Sequence, residues 1–258
     1  MGKLFLVSAG PGDRDFLTPK AEQALASSSD WVAYGLYLEL LAELSAGKIH
    51  HDLPLGEEIG RARLALDLAA KGKTVALISS GDIGIYAMAT LVFELLDQQL
   101  QGKQNHPEWL QVAIEVIPGI SAMQAGSSLV GALLGHDFCT VSLSDLLTSW
   151  QTIEKRIECA ALGDFVISFY NPVSKKRDWQ LNRARDILLQ HRPETTPVLL
   201  GRQLTRPEQE VRIITLAELD AKQVDMLTLV SVGNSESRHI VNGEQHWLYT
   251  PRGYAKKL

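Results

Sequence analysis

Two apolar strands of this 258-residue chain each run straight into a glycine turn, and that pairing constrains the fold more than any other feature. Lys3-Leu4-Phe5-Leu6-Val7 leads into Ser8-Ala9-Gly10-Pro11-Gly12-Asp13. Thr74-Val75-Ala76-Leu77-Ile78 leads into Ser79-Ser80-Gly81-Asp82-Ile83-Gly84-Ile85-Tyr86. A turn built on glycine lets main chain approach a small molecule without a Cβ in the way. Open α/β sheets seat their ligands at the carboxyl ends of the strands. Two such turns on one sheet therefore predict a shared pocket.

Strand and helix alternate from the start. Thr18-Pro19 sets an N-cap and a first-turn proline ahead of Ala21, Ala24 and Leu25. A short strand is expected at 31–35, a helix at 36–44, and a periodic helix at 59–70 that stops at Gly72. A long helix at 85–100, an exposed polar loop at 101–107 and a strand at 112–117 complete a largely parallel sheet with crossover helices. Pro118-Gly119-Ile120-Ser121-Ala122 breaks the alternation, which predicts an N-terminal α/β domain over 1–118 and a C-terminal α+β domain over 119–258. The second half should open with a buried helix over 122–135 and contain strands at 139–143, 164–170, 196–201, 210–215 and 226–232. Helices at 149–162 and 178–191 fall between the early strands, and residues 238–249 read as a β-hairpin centred on Asn242-Gly243.

Composition narrows the class. Apolar residues make up 45% and charged residues 21%, ordinary for a globular protein with a real core. No run approaches the ~18 apolar residues of a membrane span, and the first residues already read as a strand, so no membrane partner and a cytoplasmic location are expected. Cys139 and Cys159 lie in apolar segments without metal spacing and are expected to be buried, reduced thiols. The seven histidines show no ligand spacing either, so no protein-bound metal is expected. Residues 1–118 carry nine Lys/Arg against fifteen Asp/Glu, which argues against a nucleic-acid surface. The second half contains an arginine-rich stretch, Arg177, Arg183, Arg185, Arg192, Arg202, Arg206 and Arg212. For most of these a solvated, partnered face is the plainer reading.

The glycine turns are not a dinucleotide fingerprint, because the G-x-G-x-x-G spacing is absent. They are not a phosphate cradle either, lacking Gly-Lys-Ser/Thr and carrying Asp82, which repels a phosphate. A cationic or neutral ligand suits them better. That disfavours a nucleotide-dependent oxidoreductase.

Taken in order, Gly10-Pro11-Gly12-Asp13, Ser80-Gly81-Asp82-Ile83-Gly84-Ile85-Tyr86, Pro118-Gly119-Ile120-Ser121-Ala122 and Phe169-Tyr170-Asn171-Pro172 resemble the motifs of the tetrapyrrole methylases. The resemblance runs from Leu4 to Tyr254. It implies two α/β domains, a mostly parallel sheet in the first and a mixed sheet in the second. It also implies S-adenosylmethionine held in the cleft between them to methylate a porphyrinoid. Gly135-His136-Asp137-Phe138, Ser142 to Thr148, Ser174-Lys175 and Thr250-Pro251-Arg252-Gly253-Tyr254 are similar to the branch acting on C17 of precorrin-3B in cobalamin synthesis, with ring contraction to precorrin-4. A cobalt-containing form of that substrate, or another tetrapyrrole position, is the alternative. Relatives pair, so a homodimer is implied.

Carried over by motif, the donor contacts would be Pro11, Ser80, Gly81, Asp82, Ile85, Ser121, Ala122, Tyr170, Asn171 and Leu204. Two positions depart from the family pattern: Ser8 replaces a usual glycine, and Ile83 replaces a usual proline. Donor binding is expected to survive with a slightly softer loop. Asp82 can face the donor's positive end or close an Asx-turn. For the proton transfers of ring contraction, His136 beside Asp137 is the acid–base candidate, with bracing of the domain junction the competing role. Asp145 with Ser144 reads as a helix cap. A macrocycle edged with carboxylates calls for Arg and Lys, and Lys175, Arg202, Arg206 and Arg252 are the expected anchors. Arg183, Arg185 and Arg192 are expected to be solvated.

Overall fold

The structure, a computed structural model, describes residues 2–174, 177–254 and 257. It divides into two compact units, Met1–Ser121 and Ala122–Leu258.

The first unit holds five strands: β1 (Lys3–Ser8), β2 (Asp30–Ala33), β3 (Ile49–Asp52), β4 (Thr74–Ser79) and β5 (Ala113–Ile117). They form one sheet in the order β3-β2-β4-β1-β5, every pair parallel. Four helices connect them: α1 (Pro19–Ser27), α2 (Gly35–Leu40), α3 (Glu58–Ala70) and α4 (Met88–Leu100). β1 is apolar from Leu4 through Val7 because it is covered on both faces. Leu4 and Leu6 pack with Ala62 and Leu66 of α3 and Val92 of α4. Phe5 and Val7 pack with Ala21, Ala24 and Leu25 of α1. The helix after β1 and the helix after β4 thus lie on opposite faces. Because β1 and β4 are neighbours in register, Lys3 with Thr74 through Ser8 with Ser79, their two glycine turns leave the sheet side by side where the connections diverge. That is the switch point at which open parallel sheets accept ligands.

The second unit contains α5 (Ala122–Val130), β6 (Gly131–Ala132), β7 (Phe138–Ser142), α6 (Trp150–Leu162), β8 (Val166–Tyr170), α7 (Gln180–Leu188), β9 (Pro197–Arg202), β10 (Glu210–Thr215), β11 (Thr228–Val232), β12 (Arg238–Asn242) and β13 (Gln245–Tyr249). A mixed sheet runs β10-β9-β11-β8-β7, with only β7 and β8 parallel, and a small sheet runs β12-β13-β6. Ile153 and Ile157 of α6 and Leu181 and Ile187 of α7 pack on Ile167, Phe169 and Val230 on one face of the mixed sheet. Val130, Leu133 and Leu248 cover Val166 and Leu199 on the other.

Several expectations need correction. β3 was not predicted, because Ile49-His50-His51-Asp52 is a polar, largely exposed edge strand without an apolar alternation. Helix α4 begins at Met88 rather than 85, since Ile85–Ala87 belong to the turn and Tyr86 has φ 51°. The helix expected over 36–44 breaks at Leu41, and the one expected over 122–135 ends at Val130, where Gly131 (φ +131°) turns the chain into β6. The hairpin turn is centred on Gly243-Glu244, with Gly243 at φ +61° and Asn242 paired with Gln245. Cys159 is exposed and Cys139 only half-buried. Arg192 is buried, donating to the carbonyls of Gly233 and Phe165, rather than solvated. Ser149 caps α6, while Asp145 instead accepts from Gln180 and faces Arg177. The first unit runs three residues past the expected junction.

Candidate functional site

At the carboxyl ends of β1, β4 and β5, three turns of the first unit are tied to one another by hydrogen bonds. Gly10 and Gly81 exchange both of theirs: the Gly10 amide donates to the Gly81 carbonyl at 3.2 Å, and the Gly81 amide to the Gly10 carbonyl at 2.6 Å. Both residues sit at positive φ, +70° and +66°, which glycine adopts freely. Asp82 joins the second turn to the third. Its Oδ1 accepts from the Gly84 amide at 2.7 Å, closing an Asx-turn, and its Oδ2 accepts from the Gly119 amide at 3.0 Å. The Asx-turn and a bridge between motifs are therefore built from one carboxylate. Ser8, wholly buried, supplies the remaining tie: its hydroxyl donates to the Ile117 carbonyl at 2.7 Å and accepts from the Ile83 amide at 2.8 Å.

This packing explains the glycine at 119. A Cβ built there would lie 2.4 Å from the Ser8 Cβ and 2.8 Å from the Gly81 carbonyl oxygen. Gly81 is the opposite case, because a Cβ there meets nothing nearer than the Ser121 Cα at 3.9 Å. A Cβ at Gly81 would thus make only an ordinary contact, with Ser121, and crowd nothing. Around it lie the half-buried Ser80, Asp82 and Ile85 and the buried Pro11 and Ser121.

In the second unit, β7, β8 and β9 all point the same way, so their carboxyl ends share one edge of the mixed sheet. Three non-glycine residues at that edge have positive φ: Asn171 (51°) after β8, and Gln203 (47°) and Thr205 (64°) after β9. Such conformations cost free energy and collect where a side chain must be aimed. Asn171 donates from Nδ2 to the Ser142 hydroxyl at 3.0 Å, and the Tyr170 hydroxyl accepts the Met123 amide at 3.2 Å at the start of α5, next to Ala122. Leu204 is buried between the strained pair, against Gly201 and Gly126. The edge thus gathers Tyr170, Asn171, Leu204, Arg202 and Arg206.

Arg202 is committed there. Its Nε donates to Asp225 Oδ2 at 2.7 Å, and Glu210 lies 3.6 Å from its Nη1. The hydrogen bond and charge of Asp225 hold the guanidinium above its ordinary range. Arg206 is half-buried beside it, and Lys175 lies outside the described residues. The expected acid–base pair stands elsewhere. His136 and Asp137 are exposed in the turn leading into β7, whose five residues separate them by about 16 Å from the edge that carries Tyr170. His136 Nδ1 accepts the Asp137 amide at 2.7 Å, an arrangement that puts the neutral ring's proton on Nε2; with a proton on Nδ1 the ring would instead donate to the Asp137 carboxylate, 3.3 Å away. The exposed Arg252 belongs to this second end, just after Thr250, whose amide bonds Ala132.

Most other arginines serve structure: Arg183 pairs with Glu154, Arg185 with Asp186 and the Leu219 carbonyl, and Arg177 with the Leu143 carbonyl. Among the described residues, one group has donor atoms near enough to share a cation, Asp67, His106 and Glu108, all within 4.8 Å. Spacing hid it, since Asp67 stands on α3, far along the chain from the other two. Each already has a partner: Trp109 donates to Asp67 at 2.7 Å, and His106 faces Glu108 at 3.2 Å. Sequence reasoning also missed Ser8 as a bonding group, having judged it only by size. No described helix is long and apolar enough to cross a membrane.

A parallel sheet with two interlocked glycine turns at its switch point, and in the second unit a sheet edge carrying strained residues, are the marks of α/β proteins that seat a small ligand at strand ends. The chain belongs to the tetrapyrrole (corrin/porphyrin) methylases, whose family profile matches residues 3–220. It is 40% identical over 257 residues to the cobalamin biosynthesis protein CobIJ of Mycobacterium tuberculosis, covering 98% of this chain and 48% of CobIJ. The chain therefore spans about half the length of that curated relative. It is 40% identical to the precorrin-3B C(17)-methyltransferase of a Sinorhizobium species, covering 98% of each. It is 42% identical to a probable cobalt-factor III C(17)-methyltransferase of Salmonella typhimurium, covering 97% of this chain and 99% of that protein. Among solved structures, the methyltransferase CobJ matches with a TM-score of 0.87 at 38% identity, over 97% of this chain and all of that one.

Proposed function

We propose that this chain is a C-methyltransferase of cobalamin biosynthesis, transferring a methyl group from S-adenosylmethionine to C17 of precorrin-3B and contracting the ring to precorrin-4. The observation that carries the reading is the interlocked set of turns at Gly10, Gly81–Ile83 and Gly119, with the Gly81 backbone sterically uncrowded. Those turns fit a sulfonium donor, offering main chain and one carboxylate. Pro11, Ser80, Gly81, Asp82, Ile85 and Ser121 of the first unit, and Ala122, Tyr170, Asn171 and Leu204 of the second, are the residues proposed to hold it. Both Asp82 oxygens already accept an amide, so its charge is fixed in place, and the remaining lone pairs stay available.

Methyl transfer is a displacement: the bond pair between methyl and sulfur stays on sulfur, and a macrocycle carbon supplies the pair for the new bond. Alignment and exclusion of water therefore carry most of the rate. Rigid turns suit that task better than acid–base groups do. Ring contraction requires proton movement, and His136 with Asp137 is proposed for it; a substrate reaching them must span the length of β7. Arg202, Arg206, Arg252 and Lys175 are proposed to meet the carboxylates, with Arg202 exchanging part of its hold on Asp225.

The relatives favour two macrocycles, one metal-free and one with cobalt as part of the substrate. Incubation with methyl-labelled donor and each macrocycle, followed by absorbance, tests both. Label transfer to precorrin-3B is the expected result; transfer only to the cobalt compound selects the second, and transfer to neither overturns the proposal. In His136→Ala, methylation should persist while contraction slows by at least about a hundredfold. A homodimer and a cytosolic location belong to the same reading, and light scattering on the purified protein checks the dimer.

A further inference from the structure

The best-defined polar contact of the first unit that the proposed function leaves without a role is the Ser8 hydroxyl. Ser8 ends β1 with no solvent exposure, and Ile83, in the turn after β4, is equally enclosed. The hydroxyl receives the Ile83 amide at 2.8 Å and gives its own proton to the Ile117 carbonyl at 2.7 Å, at the end of β5. One side chain therefore satisfies a buried donor and a buried acceptor on two different segments, 75 and 109 residues away. Its Cβ also fills the space that the bare Cα of Gly119 leaves.

We propose that Ser8 is the positioning residue of the ligand turn: it sets the Gly81-Asp82-Ile83 backbone against β1 and β5, and so fixes the affinity of the pocket for its donor. This rests on the reading of that pocket as a site for S-adenosylmethionine. The geometry singles out the Ile83 amide as the group Ser8 serves. The Gly81 amide has its own partner in Gly10, the Gly84 amide in Asp82, and the Gly119 amide in the other oxygen of Asp82. Without the hydroxyl, the Ile83 amide is enclosed with no acceptor, and a turn in that state shifts or admits water. The turn moves as a unit, because the same three residues carry the Gly10 exchange and the Asp82 bridge. Ser8 touches neither methyl group nor macrocycle.

The pairing also predicts its own repair. Proline at 83 has no amide proton, so Ile83→Pro removes the need for the acceptor, but its ring Cδ takes that proton's place against the Ser8 oxygen, which lies 2.8 Å from the nitrogen, and fits only once Ser8 is shortened to alanine. The experiment measures the dissociation constant of S-adenosylhomocysteine at 25 °C by calorimetry, together with the melting temperature, for the intact protein, Ser8→Ala, Ile83→Pro and the double variant. Binding to the intact protein tests the pocket reading; if the intact protein does not bind, that reading fails and the positioning role fails with it. Given binding, Ser8→Ala should weaken affinity about tenfold, equivalent to about 1.4 kcal/mol. The double variant should bind more tightly than either Ser8→Ala or Ile83→Pro alone. A lower melting temperature with unchanged affinity marks a purely structural serine and overturns the proposal. Should Ile83→Pro fail to fold, Ser8→Thr serves in its place. It keeps the hydroxyl, so affinity lost in Ser8→Ala but retained in Ser8→Thr supports the proposal, and equal loss in both overturns it.

Discussion

Glycine does two different jobs within the first unit, and substitutions separate them. At Gly81 the demand is conformational, a φ of +66° with only an ordinary contact to Ser121 awaiting a Cβ, so Gly81→Ala should cost only the left-handed strain, about 1–2 kcal/mol. At Gly119 the demand is steric, because a methyl group would overlap the Ser8 Cβ and the Gly81 carbonyl. Neither neighbour is the free end of a long side chain. Gly119→Ala should therefore be the more destabilising, by about 3 kcal/mol or more, with the order read from urea unfolding. Ser8 and Ile83 show what sequence hides at this scale. Read along the chain they are two independent departures from a family pattern, one small and one softening. In three dimensions they are partners in one hydrogen bond, and the amide that proline would lack is the amide the serine serves.

Elements follow local chemistry wherever that chemistry is complete. Helix α1 was legible because Thr18 supplies a cap, accepting the Ala21 amide at 3.2 Å, and Pro19 needs no donor in the first turn. Thr18→Ala should lower unfolding stability by about 1 kcal/mol, and Thr18→Ser should restore most of it, measured by chemical denaturation. β3 was illegible for the converse reason. It pairs with β2 at the end of the strand order, its side chains are mostly exposed, and nothing in Ile49-His50-His51-Asp52 repeats with period two. The end of α5 was misplaced because Gly131-Ala132 pairs with Leu248-Tyr249, more than a hundred residues later, and no local signal reports that ladder.

For the molecule taken whole, acid stability has an identifiable source. Asp30 opens β2 with 1% exposure, hydrogen-bonded by Lys73 and His51, each at 2.8 Å, and by Ser29. Burial alone would raise its pKa, but those hydrogen bonds and the Lys73 charge prevail and bring it to about 2 from an ordinary 3.8. The folded state thus holds its proton less tightly than the unfolded chain. The resulting stabilisation, about 2 kcal/mol, is complete above about pH 4 and disappears as the pH falls through 2. Asp30→Asn should flatten that part of the stability–pH curve and lower stability at pH 7, as followed by urea midpoints between pH 2 and 7.

What the residues themselves determined was the alternation of strand and helix, the parallel first half and mixed second half, and the three turns that matter. Each depends on interactions a few residues long: a hydrophobic period, a cap, or a glycine that alone tolerates its φ. What only the tertiary structure decided was how those turns are fastened and which expected residues meet. Tyr170, Asn171, Leu204 and Arg202 share an edge because β8 and β9 run the same way with β11 between them, whereas His136 is carried to the other end of β7. Strand direction and register arise from pairing across the chain, and a one-dimensional pattern of side chains does not encode which end of a sheet a turn will reach.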